Sequence, residues 1–128
     1  EVEILVFQDR DMASGKVADE NDRKLYLATN PSNHRVMKRF DLENYLYDKD
    51  VLMAYCADNG LMFDGVSFDR FVLDIVNQNV KDSTNRIKAI CGIKFSVNSE
   101  VFKITLANYL TEGMEAFTEL QQCIFERA

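Results

Sequence analysis

Ile4-Leu5-Val6-Phe7, followed by Gln8 and then Asp9-Arg10-Asp11, is the stretch that decides how this chain is read. A short apolar run bounded by polar residues is the pattern of a strand buried on both faces, as in a parallel sheet. Open α/β sheets bind their ligands beyond the carboxyl ends of the strands. Two aspartates one residue apart point the same way while the chain stays extended, because strand side chains alternate with period two. Convergent carboxylates repel unless a cation lies between them, and hard oxygen donors suit Mg²⁺, Mn²⁺ or Ca²⁺. A solvated turn after a strand accommodates the same residues. Asp-x-Asp alone does not decide between the two.

Downstream, His34-Arg35-Val36-Met37-Lys38 reads as a second strand. It runs into Arg39-Phe40-Asp41-Leu42-Glu43-Asn44-Tyr45-Leu46. Here again a strand meets two carboxylates with one residue between them, Asp41 and Glu43. The connection is long enough for a crossover helix, which residues 20–29 supply with Pro31 helping to end it. Strand, crossover helix and strand form a βαβ unit with both carboxyl ends on one sheet edge. That topology gathers Asp9, Asp11, Asp41 and Glu43. Such a cluster costs several kcal/mol in repulsion and desolvation unless metal neutralises it.

With 128 residues and 47% hydrophobic content, the chain is one modest globular domain rather than a disordered segment. No apolar run approaches the roughly eighteen residues of a membrane span, and no signal-peptide pattern is present. The three cysteines, Cys56, Cys91 and Cys123, are widely spaced without paired metal-ligand spacing, and Cys56 and Cys123, in apolar helical patterns, read as buried, reduced thiols. Reduced thiols point to the cytoplasm. The single histidine, His34, sits at a loop-to-strand junction and reads as structural. A net charge of −6 excludes a uniformly basic nucleic-acid binder. Residues 81–103 nevertheless carry Lys81, Arg86, Lys88, Lys94 and Lys103 against Asp82 and Glu100. A phosphodiester-cleaving site needs such bases beside its acids, and an ordinary solvated helix face contains them equally well.

After Glu43 the pattern turns helical. Asp50 reads as an N-cap for a helix through Val51, Leu52, Tyr55 and Cys56 that stops at Asn59-Gly60. Ser67 reads as the cap of a helix carrying Phe68, Phe71, Val72, Ile75 and Val76. A break near 81–83 precedes a short helix through Ile87 and Ile90, ending at Gly92. Asn98 caps Val101 to Leu110, where Val101, Ile104 and Thr105 share a face. A last helix covers about 113–127, with Phe117, Leu120, Ile124 and Phe125 inward. The expectation is α/β, a partial parallel sheet (βαβ) over 1–60 followed by a helical C-terminal half over 61–128 packed on it. Two strands make a poor sheet. That and the start at Glu1 rather than Met give the expectation of a fragment.

The pairing of Ile4-Leu5-Val6-Phe7-Gln8-Asp9-Arg10-Asp11 with Val36-Met37-Lys38-Arg39-Phe40-Asp41-Leu42-Glu43-Asn44-Tyr45-Leu46 resembles a Toprim domain. The nearest variant is that of the OLD (overcoming lysogenisation defect) nucleases and related ATPase-linked bacterial defence proteins. The resemblance covers roughly residues 1–60, and the helical remainder fits loosely. It implies a Mg²⁺- or Mn²⁺-dependent endonuclease, with two ions, cleaving DNA in a phage-defence system. Asp9, Asp11 and Glu43 would be metal ligands, with Asp41 near the second ion. A later lysine, Lys94 or Lys103, would stand near the scissile phosphate. Implied partners are DNA, an ATPase domain or subunit of the same system and a further copy of the chain, with no membrane. The family's essential glutamate, at the end of an earlier strand, has no counterpart here, so the chain alone is expected to be inactive.

The chemistry follows from charge. Two divalent ions about 3.5–4 Å apart activate a water and stabilise the leaving 3′ oxygen, while Lys or Arg offsets charge developing on phosphate. Three other readings compete. An RNA-cleaving Toprim toxin would share these acids. A phosphotransferase with an aspartyl nucleophile would need a Ser/Thr and a Lys that cannot be placed. A non-catalytic helical interaction module over 65–128 would make the acids incidental.

Overall fold

The computed structural model describes residues 5–8, 20–39, 41–75 and 80–127. The strand β1 (Val6–Gln8) pairs in parallel with β2 (His34–Val36), in the register Val6 to His34 and Gln8 to Val36. Between them runs α1 (Glu20–Thr29), the crossover helix expected at those positions. The βαβ connection is therefore present, on strands of three residues each. The second strand was expected to continue through Lys38, but it ends at Val36. Its last carbonyl accepts a hydrogen bond from Arg23 Nε at 3.0 Å instead of continuing a ladder.

The rest of the described chain is helical. In order come α2 (Glu43–Leu46), α3 (Lys49–Asp58), α4 (Gly65–Asp74), a 3₁₀ turn (Lys81–Ser83), α5 (Thr84–Ile90), α6 (Ser99–Ala107) and α7 (Glu115–Gln121). A π turn, Gln122–Glu126, extends α7. Two caps differ from the sequence reading. Asp48, not Asp50, caps α3 by accepting from the Asp50 N–H. Asp64, not Ser67, caps α4 by accepting from the Ser67 N–H. In each case the residue before the first helical turn supplies the oxygen, as an N-cap must. Asn98 caps α6 as expected, and Gly60 takes the left-handed conformation, φ 64°, that ends α3.

One apolar cluster joins Leu52, Tyr55 and Cys56 of α3 to Phe68 and Phe71 of α4, Ile87 of α5 and Phe102 and Leu106 of α6. Packing therefore runs straight across position 60, where the division into α/β and helical halves was expected. Faces were harder to assign than helices. In α6 it is Phe102 and Leu106 that turn inward, while Val101 and Ile104 lie on the solvent face, Ile104 at 67% exposure. In the last helix Ala116 and Cys123 are buried and Phe125 is exposed. The π turn rotates the register of the final residues, so an inward face counted at 3.6 residues per turn loses phase there.

Candidate functional site

Asp9 and Asp11 lie outside the described residues. Asp41 and Glu43 are described, and they meet by a route other than strand alternation. Asp41 stands in the turn before α2, and Glu43 is the first residue of that helix. The turn is braced reciprocally. The Asn44 N–H donates to Asp41 Oδ1 at 3.3 Å, and the Asp41 N–H donates to Asn44 Oδ1 at 3.1 Å. Asp41 is 0% exposed.

Lys103, from α6, reaches this turn across 60 positions and places Nζ 3.4 Å from Glu43 Oε1. Burial disfavours the charged form of Glu43. Its own backbone N–H, the Asp41 carboxyl and Lys103 outweigh that penalty, so the carboxyl is held below its ordinary range. The same balance acts on Lys103, where Glu43 outweighs burial and raises the ammonium above its usual value. Behind the pair, Tyr47 shares a 2.7 Å hydrogen bond with Thr84, and its ring stacks on Phe102 with centroids 6.4 Å apart. Phe102, the residue before Lys103 in α6, is thereby packed against the end of α2.

The sequence left Lys94 and Lys103 open as the phosphate-side lysine. Lys94 is exposed, in the segment between α5 and α6, whereas Lys103 contacts Glu43. The basic stretch around them is largely engaged within the fold. Arg86 pairs with Asp74 at 2.6 Å, and Lys88 donates to the Val97 carbonyl at 2.7 Å. Sequence reasoning missed Arg39 as an organiser. It pairs with Asp48 at 2.9 Å and Glu119 at 3.2 Å, and lies over the Tyr45 ring at 5.0 Å. Arg39 therefore ties the turn before Asp41 to the start of α3 and to α7.

Asp41 and Glu43, two neighbouring carboxyl groups, present hard oxygen donors, the type that divalent cations such as Mg²⁺ take. Among the described residues no group of three or more His, Cys, Asp or Glu is placed to hold a metal ion. A cleft of about 580 Å³ adjoining α4 is lined by Lys49, Phe63, Asp64 and Asp69 among others, and includes neither Glu43 nor Lys103. Among the described residues no helix is long and apolar enough to cross a membrane. No family model matches the chain, and neither a curated protein nor a solved structure matches it.

Proposed function

We propose that this chain is the catalytic segment of a Toprim-type, metal-dependent endonuclease acting on DNA, of the kind linked to ATPases in bacterial phage defence. The observation that carries the reading is the meeting of Asp41, Glu43 and Lys103 at the carboxyl side of β2. A carboxyl pair beside a lysine recruited from a distant helix is what phosphodiester chemistry requires: ligands for cations and a base-bearing side chain for phosphate charge. The parallel pairing supports the same reading, because the carboxyl ends of β1 and β2 lie at one edge and Asp9 follows β1 directly in sequence.

In this proposal Asp9, Asp11, Asp41 and Glu43 hold Mg²⁺ or Mn²⁺, and Lys103 is preferred over Lys94 as the phosphate-side lysine. Bound ions would supply an activated water and charge neutralisation at the leaving oxygen. The chain's own residues do the rest. Asn44 fixes the Asp41 backbone, and the Tyr47–Phe102 stack sets the reach of Lys103 towards Glu43. In a preparation that cleaves plasmid DNA, Asp9→Ala, Asp11→Ala and Glu43→Ala should abolish metal-dependent cleavage while the circular dichroism spectrum is retained. Cleavage at the normal rate by Asp9→Ala protein would remove the assignment.

A second reading, a helical interaction module, draws on the exposed apolar side chains of α4 and α6. Leu73 is 86% exposed, and Val66, Val101 and Ile104 are also largely uncovered. Unaltered Mn²⁺ binding in the aspartate variants, together with loss of self-association on Leu73→Ser, would favour it.

A further inference from the structure

The helical core holds two thiols that the proposed chemistry does not use. Cys56, in the third turn of α3, donates from Sγ to the Cys91 carbonyl at 3.6 Å. Cys91 lies just beyond α5, 35 positions away in sequence. Both belong to the same apolar cluster and neither is accessible. The geometry at Cys91 is fixed from two sides. The Asp64 N–H donates to the Ile90 carbonyl at 2.9 Å. At the next residue, Gly92 at φ 74° is pressed so closely on the chain that a Cβ would stand 3.2 Å from the Met62 carbonyl oxygen. The third cysteine is elsewhere: Cys123 Sγ accepts from Arg23 Nη2 at 3.6 Å.

We propose that Cys56 and Cys91 are a latent disulfide, closed by a two-electron thiol oxidant of the peroxide class, while Cys123 remains a thiol. In the first step one sulfur attacks the peroxide. Its S–H proton and the broken O–O bond yield a sulfenic acid and one water. The second sulfur then displaces the sulfenic oxygen, which leaves as a second water with the remaining thiol proton. Two S–H bonds and the O–O bond are lost, one S–S bond and two waters are gained, and the dithiol gives up two electrons to the peroxide.

Burial sets the condition under which this occurs. It pushes both thiols above their ordinary range, Cys91 further than Cys56, with the Cys56 thiol beside Cys91 adding to the shift. Thiolate is the reactive form, so the closed core reacts slowly and oxidation waits on opening at the turn after α5. The bridge would then join α3 to that turn and restrict the unfolded chain.

The test is incubation of the folded protein with hydrogen peroxide, in buffer and in urea below its unfolding transition, followed by non-reducing peptide mapping. The expected product has one intramolecular Cys56–Cys91 cross-link and a free Cys123, forms faster in the urea, melts at a higher temperature and reverts with dithiothreitol. Cross-links involving Cys123, or three unlinked cysteines after peroxide has been consumed in both conditions, would overturn the proposal. Cys123→Ser protein should give the same cross-link at the same rate. Failure of that variant to form it would also count against the pairing.

Discussion

At the βαβ end of the molecule three arginines direct their donors to backbone carbonyls, whereas at the helical end the contacts are aromatic and aliphatic. Arg23 reaches the Val36 carbonyl, Arg35 those of Ile124, Ser32 and His34, and Arg127 those of Leu27, Asn30, Pro31 and His34. Around α6, Phe102 meets Tyr47 and, edge-on, Tyr55 at 5.7 Å, and the Lys88 ammonium lies 5.9 Å from the same ring. The difference follows from the strands. Two strands of three residues and one helix bury too little apolar surface to hold themselves together. Charge-assisted hydrogen bonds, several from residues about 90 positions or more away, close that end instead. The helices supply enough apolar area to need no such help.

If that division is right, core truncation should give the largest effect. Phe102→Ala is expected to cost about 3–5 kcal/mol, read from urea unfolding. A cost below about 1 kcal/mol would show that apolar packing does not dominate the helical end. Next comes Arg23, which is 1% exposed. Arg23→Ala strands the Val36 carbonyl and empties a buried volume, at about 2–3 kcal/mol. Hydrogen exchange should quicken first in residues 122–127 and in β2, with α3 little affected. Uniform quickening would dissolve the contrast between the two ends. Arg39 joins them, so Arg39→Ala should cost about 1–2 kcal/mol, because its two ion pairs are only about a fifth exposed. A double-mutant cycle with Glu119→Ala isolates the link to α7.

The smallest effect concerns pH and lies wholly in the helical end. The Ser67 N–H and hydroxyl hold the Asp64 carboxyl below its ordinary value of 3.8. A lowered folded value means that the cap contributes fully above the unfolded value and is lost as pH falls through the folded one. Asp64→Asn should therefore flatten the acid limb of the stability profile below about pH 4 and leave neutral pH nearly unchanged. An unaltered acid limb would remove the cap from the account.

Local signals were legible in the sequence and long-range ones were not. The crossover helix, the Asn98 cap and the buried Cys56 and Cys123 each follow from spacing or from residue chemistry, whereas the break expected near 81–83 comes earlier, where α4 ends at Asp74, and 81–83 is a 3₁₀ turn leading into α5. Asp48 and Asp64 were misassigned by two and three positions because several Asp and Ser residues near a helix start can serve as caps, and only backbone geometry chooses among them. The Val101–Ile104 stripe marked a real face of α6 but not the buried one, since Phe102 and Leu106 make an equally regular pattern. At the candidate site, Asp41 and Glu43 were readable as a pair. That Lys103 and not Lys94 approaches them depends on how α6 docks, a tertiary fact with no local signature. The same holds for Arg39 and Glu119, 80 positions apart.

Calorimetric titration of Mn²⁺ into the chain and its Asp9→Ala and Glu43→Gln variants tests the central claim most directly. Convergence of these carboxylates on a cation predicts saturable binding, abolished in Asp9→Ala and weakened at least about tenfold in Glu43→Gln, a loss of about 1.4 kcal/mol. The wild-type melting temperature should rise with Mn²⁺ in step with occupancy. Equal binding by all three proteins, or no saturable binding by the wild type, would contradict it.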